Sequence, residues 1–181
     1  MKTLKISALA ALSALTLAAC DAAEGLGPDG LRQGQFEGEV SGVLDTYVQG
    51  EARSGYAVTA SFHDLIVLTD NTRDVQVVLY ESEDEFFEGR WSIDDETSFS
   101  SRIVAYVEDL GTGETFSSVS GTLDLVDVRS GGIEGSAVFT AESDDFPGDF
   151  ITVDVAFATR YNGSIGFSLS PTYARSSKSA R

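Results

Sequence analysis

Apolar residues in this chain recur at every second position, and this alternation constrains the fold more than any other feature. From residue 35 onward no long window carries the i, i+3, i+4, i+7 spacing of an amphipathic helix. Successive side chains on a strand point to opposite faces, so each alternating run marks one face for burial. Phe36, Gly38, Val40 and Gly42 form the first row, and Tyr56, Val58, Ala60 and Phe62 the next. Val75, Val77 and Leu79 follow, then Gly89, Trp91 and Ile93, then Ile103, Ala105 and Val107. Val119, Gly121, Leu123 and Leu125 align, as do Ile133, Gly135, Ala137 and Phe139. Val153, Val155 and Phe157 make another row, and Ile165, Phe167 and Leu169 close the series.

Turn chemistry punctuates these rows. Asn162-Gly163 predicts a tight hairpin, because a type I′ turn needs positive φ at both central residues. Ser130-Gly131-Gly132 predicts a hairpin joining 119–128 to 133–142, and Leu110-Gly111-Thr112-Gly113 one joining 102–109 to 114–126. The expected fold is all-β: a single antiparallel β-sandwich or a partly closed β-barrel, with roughly nine or ten strands. Gly121 and Gly135, inside strand rows, predict a bend, a bulge or a large side chain packed opposite. Val40-Ser41-Gly42-Val43-Leu44-Asp45 echoes Val119-Ser120-Gly121-Thr122-Leu123-Asp124, as related hairpins or as a chance match.

The first twenty residues have a different character. Lys2 and Lys5 precede an apolar run from Ile6 to Leu17, and small residues follow it. That order is the layout of a secretory signal peptide, and the run is short for a permanent membrane span. Leu17-Ala18-Ala19-Cys20 resembles the lipobox of bacterial lipoproteins and holds the single cysteine of the chain. The resemblance implies cleavage before Cys20, lipidation of Cys20, and a location in the bacterial cell envelope, periplasmic or at the surface. The alternative is a plain signal peptide with an incidental cysteine. A lone thiol is an odd choice in an oxidising compartment, and it permits no internal disulfide.

The expected organisation is a signal peptide at 1–19, a lipidated Cys20 with a flexible tether at 20–34, a β-domain at 35–170 and a loose tail at 171–181. Cleavage takes two of the 12 basic residues, leaving ten against 29 acidic ones, a formal charge of −19. Such a surface repels nucleic acid and anionic headgroups and favours cations and basic partners. High solubility, as in a salty habitat, is the plainer account of the same charge.

"GEVSG" (38–42), "GEA" (50–52), "FFEGRWSID" (86–94) and "FSSVSGTLDLVDVRSGGIEGSAVFTAES" (116–143) resemble a loose group of small secreted β-rich bacterial lipoproteins. Their shared pattern is a G-x-aromatic-x-aliphatic strand, then an S-G-T-aliphatic hairpin ending in G-x-x-x-F-x-A. Trp91 and Phe139 take the aromatic places. The resemblance implies β architecture and no activity.

Catalytic signals are sparse. His63 is the single histidine, so no His-rich metal site can form. Beside Asp64 it permits a Ser-His-Asp arrangement on paper, yet no G-x-S-x-G elbow accompanies it. Acidic clusters at Glu81–Glu85, Asp94–Glu96 and Asp144–Asp149 read as solvated loops, and calcium suits such oxygen-rich loops. Asp144, Asp145 and Asp149 are the candidate ligands. Phe86-Phe87 interrupts an acidic run; one ring is expected to anchor the loop and the other to lie along an edge or offer a contact point. Trp91 is expected in the core. The expected function is binding or interaction by a non-enzymatic, membrane-tethered β-domain, with a protein, glycan or cation as ligand. A structural envelope lipoprotein with no small ligand, or a lipocalin-like carrier of an apolar molecule, is the alternative.

Overall fold

A computed structural model of the chain describes residues 30–58, 62–81, 85–95 and 103–165. It contains β1 (Gln35–Gly42), β2 (Thr46–Val58), β3 (Phe62–Asp70), β4 (Val75–Glu81), β5 (Gly89–Asp94), β6 (Ile103–Asp109), β7 (Glu114–Arg129), β8 (Gly132–Ser143), β9 (Phe150–Ala158) and β10 (Arg160–Ser164). No helix occurs among the described residues.

All ten strands belong to one sheet. Chain neighbours pair antiparallel across β1–β2, β2–β3, β3–β4, β6–β7, β7–β8 and β8–β9. β9 then returns to β1, with Gln35 opposite Ala158 and Gly42 opposite Ile151, and β4 pairs directly with β6. A ring of hydrogen bonds therefore runs through nine strands, β1-β9-β8-β7-β5-β6-β4-β3-β2 and back to β1. β10 lies parallel to β2 beyond the start of β1, with Arg160 opposite Arg53. Closure gives each of the nine strands a paired neighbour on both sides over at least part of its length, β5 meeting β6 at Ile93 and Ile103 alone.

The ring is not a regular barrel, and β5 is one reason. The long strand β7 pairs with β6 through Glu114–Ser117 and with β5 through Ser120–Leu125. β6 and β7 thus part company midway, and β5 wedges into the gap, touching β6 in register at Ile93 and Ile103. A bulge in β7 between Ser118 and Ser120 marks the fork. There the Ser118 hydroxyl accepts the Ala105 N–H (3.1 Å) and donates to the Asp94 carbonyl (2.6 Å). It pairs two backbone groups that the fork removes from the strand ladder.

The closed sheet turns one face inward, and the alternating rows fill it. Phe36, Val40, Val77, Trp91, Ile93, Leu123, Phe139, Val153 and Phe157 meet in one buried cluster, with Phe116 also fully enclosed. The intervening residues of β9, Thr152 and Asp154, face solvent. β3 departs from alternation because both its faces are covered. Ile66 and Leu68 point inward, while Leu65 and Val67 join a second buried cluster with Val78, Val104 and Tyr106.

Several expectations change in detail. Tyr56, Val58, Ala60 and Phe62 do not form one row: β2 ends at Val58 and β3 begins at Phe62, and the inward face of β2 is carried by Val48 and Ala52. Asn162-Gly163 makes no hairpin. It lies within β10, at an irregularity between Tyr161 and Ser164, and Gly163 takes φ 65° as a strand distortion. The bulge also puts Val119 on the surface, out of its expected row. Gly121 packs opposite Phe139, whose side chain and the Val138 carbonyl occupy the place of a Cβ. Gly135 stands opposite Leu125, next to a second bulge between Leu125 and Asp127. The internal echo is not structural: Gly42 ends β1 with φ 118°, whereas Gly121 lies inside β7.

Candidate functional site: an open cleft at one end of the sheet

The two ends of the closed sheet are built differently. At one end lie the short β1–β2, β3–β4, β6–β7 and β8–β9 connections. Two of these use the same device. Asp70 Oδ1 accepts the N–H groups of Thr72 (2.8 Å) and Arg73 (3.0 Å), and Asp109 Oδ1 those of Gly111 (2.9 Å) and Thr112 (3.2 Å). Each is an aspartate-capped turn finishing on a left-handed residue, Asp74 (φ 56°) or Gly113 (φ 78°). The Asp70 carboxylate also receives the Gln49 N–H of β2 (3.0 Å). Burial alone would raise this carboxyl. The three N–H groups and the Arg73 charge outweigh it and hold it below the usual carboxylate range.

At the other end the chain enters at 30–34, and the β7–β8 turn and the β9–β10 junction stand around a cleft of about 440 Å³. Its floor is Phe86, Ile133 and Ser54, all buried. Asp64, Glu85, Arg129 and Tyr161 supply its ionisable side chains. The floor is pinned by Thr159. Its hydroxyl donates to Ser54 Oγ (2.8 Å) and accepts the Ile133 N–H (2.8 Å), while its own N–H donates to the Ile133 carbonyl (2.8 Å). The rim is tied by the Gly131 carbonyl, which accepts the Tyr161 N–H (2.9 Å) and Gln33 Nε2 (2.7 Å).

Asp64 is half-enclosed and accepts the Phe86 N–H at 3.3 Å. Burial pushes its carboxyl above the usual range; the Phe86 N–H pulls it back, and the Glu85 charge pushes in the same direction as burial. Arg129, on the rim, is paired with Asp127 and largely exposed. Tyr161 is also exposed. An apolar floor beneath two carboxylates, a guanidinium and a phenol suits a ligand with a cationic or hydroxyl-rich group and a modest apolar or ring surface.

The Phe86-Phe87 pair divides as expected. Phe86 enters the core, whereas Phe87 is exposed and lies against Trp91, with ring centroids 4.1 Å apart. Trp91 is buried, and its Nε1–H donates to the Phe87 carbonyl (3.0 Å). Glu81, expected in a solvated loop, is the last residue of β4 and fully buried.

Asp144, Asp145 and Asp149 lie in the β8–β9 connection, at the end away from the cleft. Asp144 Oδ1 accepts the Ser117 hydroxyl (2.7 Å); burial raises this carboxyl, Ser117 lowers it and Asp145 raises it. Asp149 contributes backbone bonds to the turn, its N–H to Phe146 and its carbonyl to Ser143. Among the described residues no group of three His, Cys, Asp or Glu side chains is arranged to hold a metal ion. The His63 backbone pairs with Ala57, and its side chain lies outside the described residues. Cys20 and the 171–181 tail lie outside them too.

Asp64, Glu85 and Phe86 are each singled out in the sequence, but their gathering is not legible there, because the cleft residues come from β2, the start of β3, the loop before β5, the end of β7, the β7–β8 turn, the start of β8 and β10. No local spacing joins them. Fold and cleft together define a closed all-β domain with a polar cleft at one end. No family model matches the chain, and neither a curated protein nor a solved structure matches it.

Proposed function

We propose that this chain is a lipid-anchored protein of the bacterial cell envelope whose β-domain binds a ligand in the end cleft and catalyses no reaction. The observation that carries the binding reading is the cleft itself, with Asp64 and Glu85 above the floor of Phe86 and Ile133. The anchor reading rests on Leu17-Ala18-Ala19-Cys20. On this reading the tether joins the domain at the end that holds the cleft. The chain enters the domain at the cleft end, where Gly34 N–H bonds the Ala158 carbonyl and Gln33 reaches Gly131. Ten Cα-to-Cα steps lead from Cys20 to Gly30, so the tether spans at most about 35 Å. The cleft therefore works close to the membrane that holds the lipid.

Binding in the cleft is favoured over carriage of an apolar ligand inside the sheet. The interior a carrier would need is taken by Phe116, Phe139, Phe157, Leu68 and Leu79, all fully buried. The strongly negative surface favours ligands with amino groups or bound cations over anionic ones.

Two measurements test the reading. Metabolic labelling with a radioactive fatty acid should mark the wild-type chain and leave Cys20→Ala unlabelled and soluble; a membrane-held, unlabelled wild type overturns the anchor. Amide chemical shifts, followed while amino sugars, neutral oligosaccharides and diamines are titrated in, should move around Asp64, Glu85 and Tyr161. Asp64→Asn with Glu85→Gln should abolish the response to cationic ligands. Shifts that gather elsewhere overturn the cleft as the site.

A further inference from the structure

The two ends of the closed sheet differ in charge as well as in shape. Among the described residues five arginines are exposed, and Arg73 is the one at the capped-turn end. It shares that end with the carboxylates of Asp70, Asp74, Asp109, Asp144 and Asp149. Arg32, Arg90, Arg129 and Arg160 all lie at the cleft end. Arg129 lines the cleft, Arg160 precedes the rim residue Tyr161, and Arg32 precedes Gln33, whose amide bonds the Gly131 carbonyl on the rim. Arg90, near the start of β5, is held by Asp124 through two bonds of 2.7 Å. A strongly acidic chain thus gathers most of its described arginines around one opening.

The same end presents aromatic rings. Phe87 is 54% exposed and Tyr161 48%. Phe87 directly follows the cleft residues Glu85 and Phe86, and Tyr161 lines the cleft itself, so a ring stands at two points of the rim. Aromatic rings and arginines are side chains that settle at the boundary between lipid headgroups and acyl chains. The chain also enters the domain here, Gly30 lying ten Cα-to-Cα steps after Cys20. Beside the rings, Asp64 and Glu85 supply carboxylates and Arg129 a guanidinium. That combination matches a zwitterionic headgroup, in which a short carbon link joins a phosphate to an ammonium. A primary ammonium carries three N–H donors for the carboxylates, as a lysine ammonium does, whereas a trimethylated one carries none. The phosphate suits a guanidinium. A net-anionic headgroup offers the phosphate without the cation and is repelled by the negative charge of the chain as a whole.

We propose that the cleft end is the domain's membrane-docking surface, with Phe87 and Tyr161 in the lipid interface and the ethanolamine headgroup of a phospholipid in the cleft, its ammonium on Asp64 and Glu85 and its phosphate at Arg129. The inference rests on the anchor and cleft readings above and adds the class and source of the ligand. Trp91, the single tryptophan of the chain, serves as the reporter, because its ring centroid lies 4.1 Å from that of Phe87. The full lipidated chain is placed in phosphatidylcholine vesicles whose acyl chains are brominated near the headgroup, with and without phosphatidylethanolamine. Bromine quenches indole fluorescence only at close range. Trp91 emission should fall by at least half where phosphatidylethanolamine is present and stay near its unbrominated level where it is not. Asp64→Asn with Glu85→Gln should remove that difference, and Phe87→Ser with Tyr161→Ser should abolish the quenching. Equal quenching in both kinds of vesicle, no quenching in either, or a carboxylate variant that behaves as wild type overturns the proposal. The wild-type comparison between vesicles decides if a variant does not fold. A chain that fails to float with the vesicles overturns the anchor reading, and the docking with it. Soluble glycerophosphoethanolamine separates the remaining case: if it moves the amide shifts of Asp64 and Glu85 while Trp91 stays unquenched, the cleft reading stands and the docking is overturned.

Discussion

Asp70 gathers three backbone N–H groups from β2 and the β3–β4 turn on one buried carboxylate, and its removal should be costly in a way that depends on pH. The side chain accepts Gln49 N–H from β2 and Thr72 and Arg73 N–H from the turn, all at 2.8–3.0 Å. Hydrogen bonds to a charged group contribute about 1.5–3 kcal/mol each where water cannot replace them, and less where it can. Thr72 and Arg73 are exposed, so water recovers part of those two bonds. Asp70→Ala should therefore cost about 3 kcal/mol at pH 7, or roughly 6–12 °C in melting temperature for a chain of this size. Asp70→Asn keeps one acceptor and turns an amide NH₂ toward another donor, so it should lose about half as much. The pH dependence has a definite sign. The folded carboxyl is held below its usual range, so its stabilisation is complete above the unfolded value of about 4 and disappears as pH falls through the lower folded value. Urea melts of wild type and variants from pH 7 to pH 2 should show a constant gap that narrows only under acid conditions. A gap below about 0.5 kcal/mol at pH 7, or one that stays constant to pH 2, refutes the reasoning.

Two further substitutions probe the sheet itself. Gly121→Ala drives a Cβ into the Phe139 side chain and the Val138 carbonyl, so it should cost about 3 kcal/mol or abolish soluble expression. Phe139→Leu should not rescue it, because part of the obstacle is backbone; chemical denaturation of the single and double variants checks both points. Ser118→Ala removes the hydroxyl at the β5–β6–β7 fork and leaves the buried Ala105 N–H and the Asp94 carbonyl without it. The cost should be about 2–3 kcal/mol, with hydrogen exchange at Ala105 accelerated more than at its neighbours; uniform acceleration would mean that the hydroxyl has no local role.

The rows that could be read in the sequence are those with one wet face. Val153, Val155 and Phe157 sit inside, and Thr152 and Asp154 outside, so burial and polarity alternate together. β3 could not be read that way. Leu65-Ile66-Val67-Leu68 is apolar throughout because a second cluster covers its outer face, and an unbroken apolar run carries no period. The Asp70–Asp74 turn was silent for a different reason. Asn71-Thr72-Arg73-Asp74 contains no glycine, and its left-handed residue is an aspartate. The Asn162-Gly163 signal was real as backbone chemistry, since Gly163 does take positive φ, but the strand continues past it because β2 offers a parallel partner. Local signals report φ and polarity; they do not report which distant strand is waiting.

Ring closure imposes the same limit on the cleft. Once β9 has paired with β1, the sheet has two ends instead of two edges, and side chains far apart in sequence gather there without any shared motif. One end is closed by short turns, two of them capped by aspartates that accept the turn's own N–H groups. Those carboxylates are already engaged in holding the fold. At the other end Asp64 accepts, among the described residues, the N–H of Phe86, and Glu85 and Tyr161 remain exposed beside it. A carboxylate accommodates several donors; Asp70 spends that capacity on the backbone, and on the proposed binding reading Asp64 offers it to the ligand.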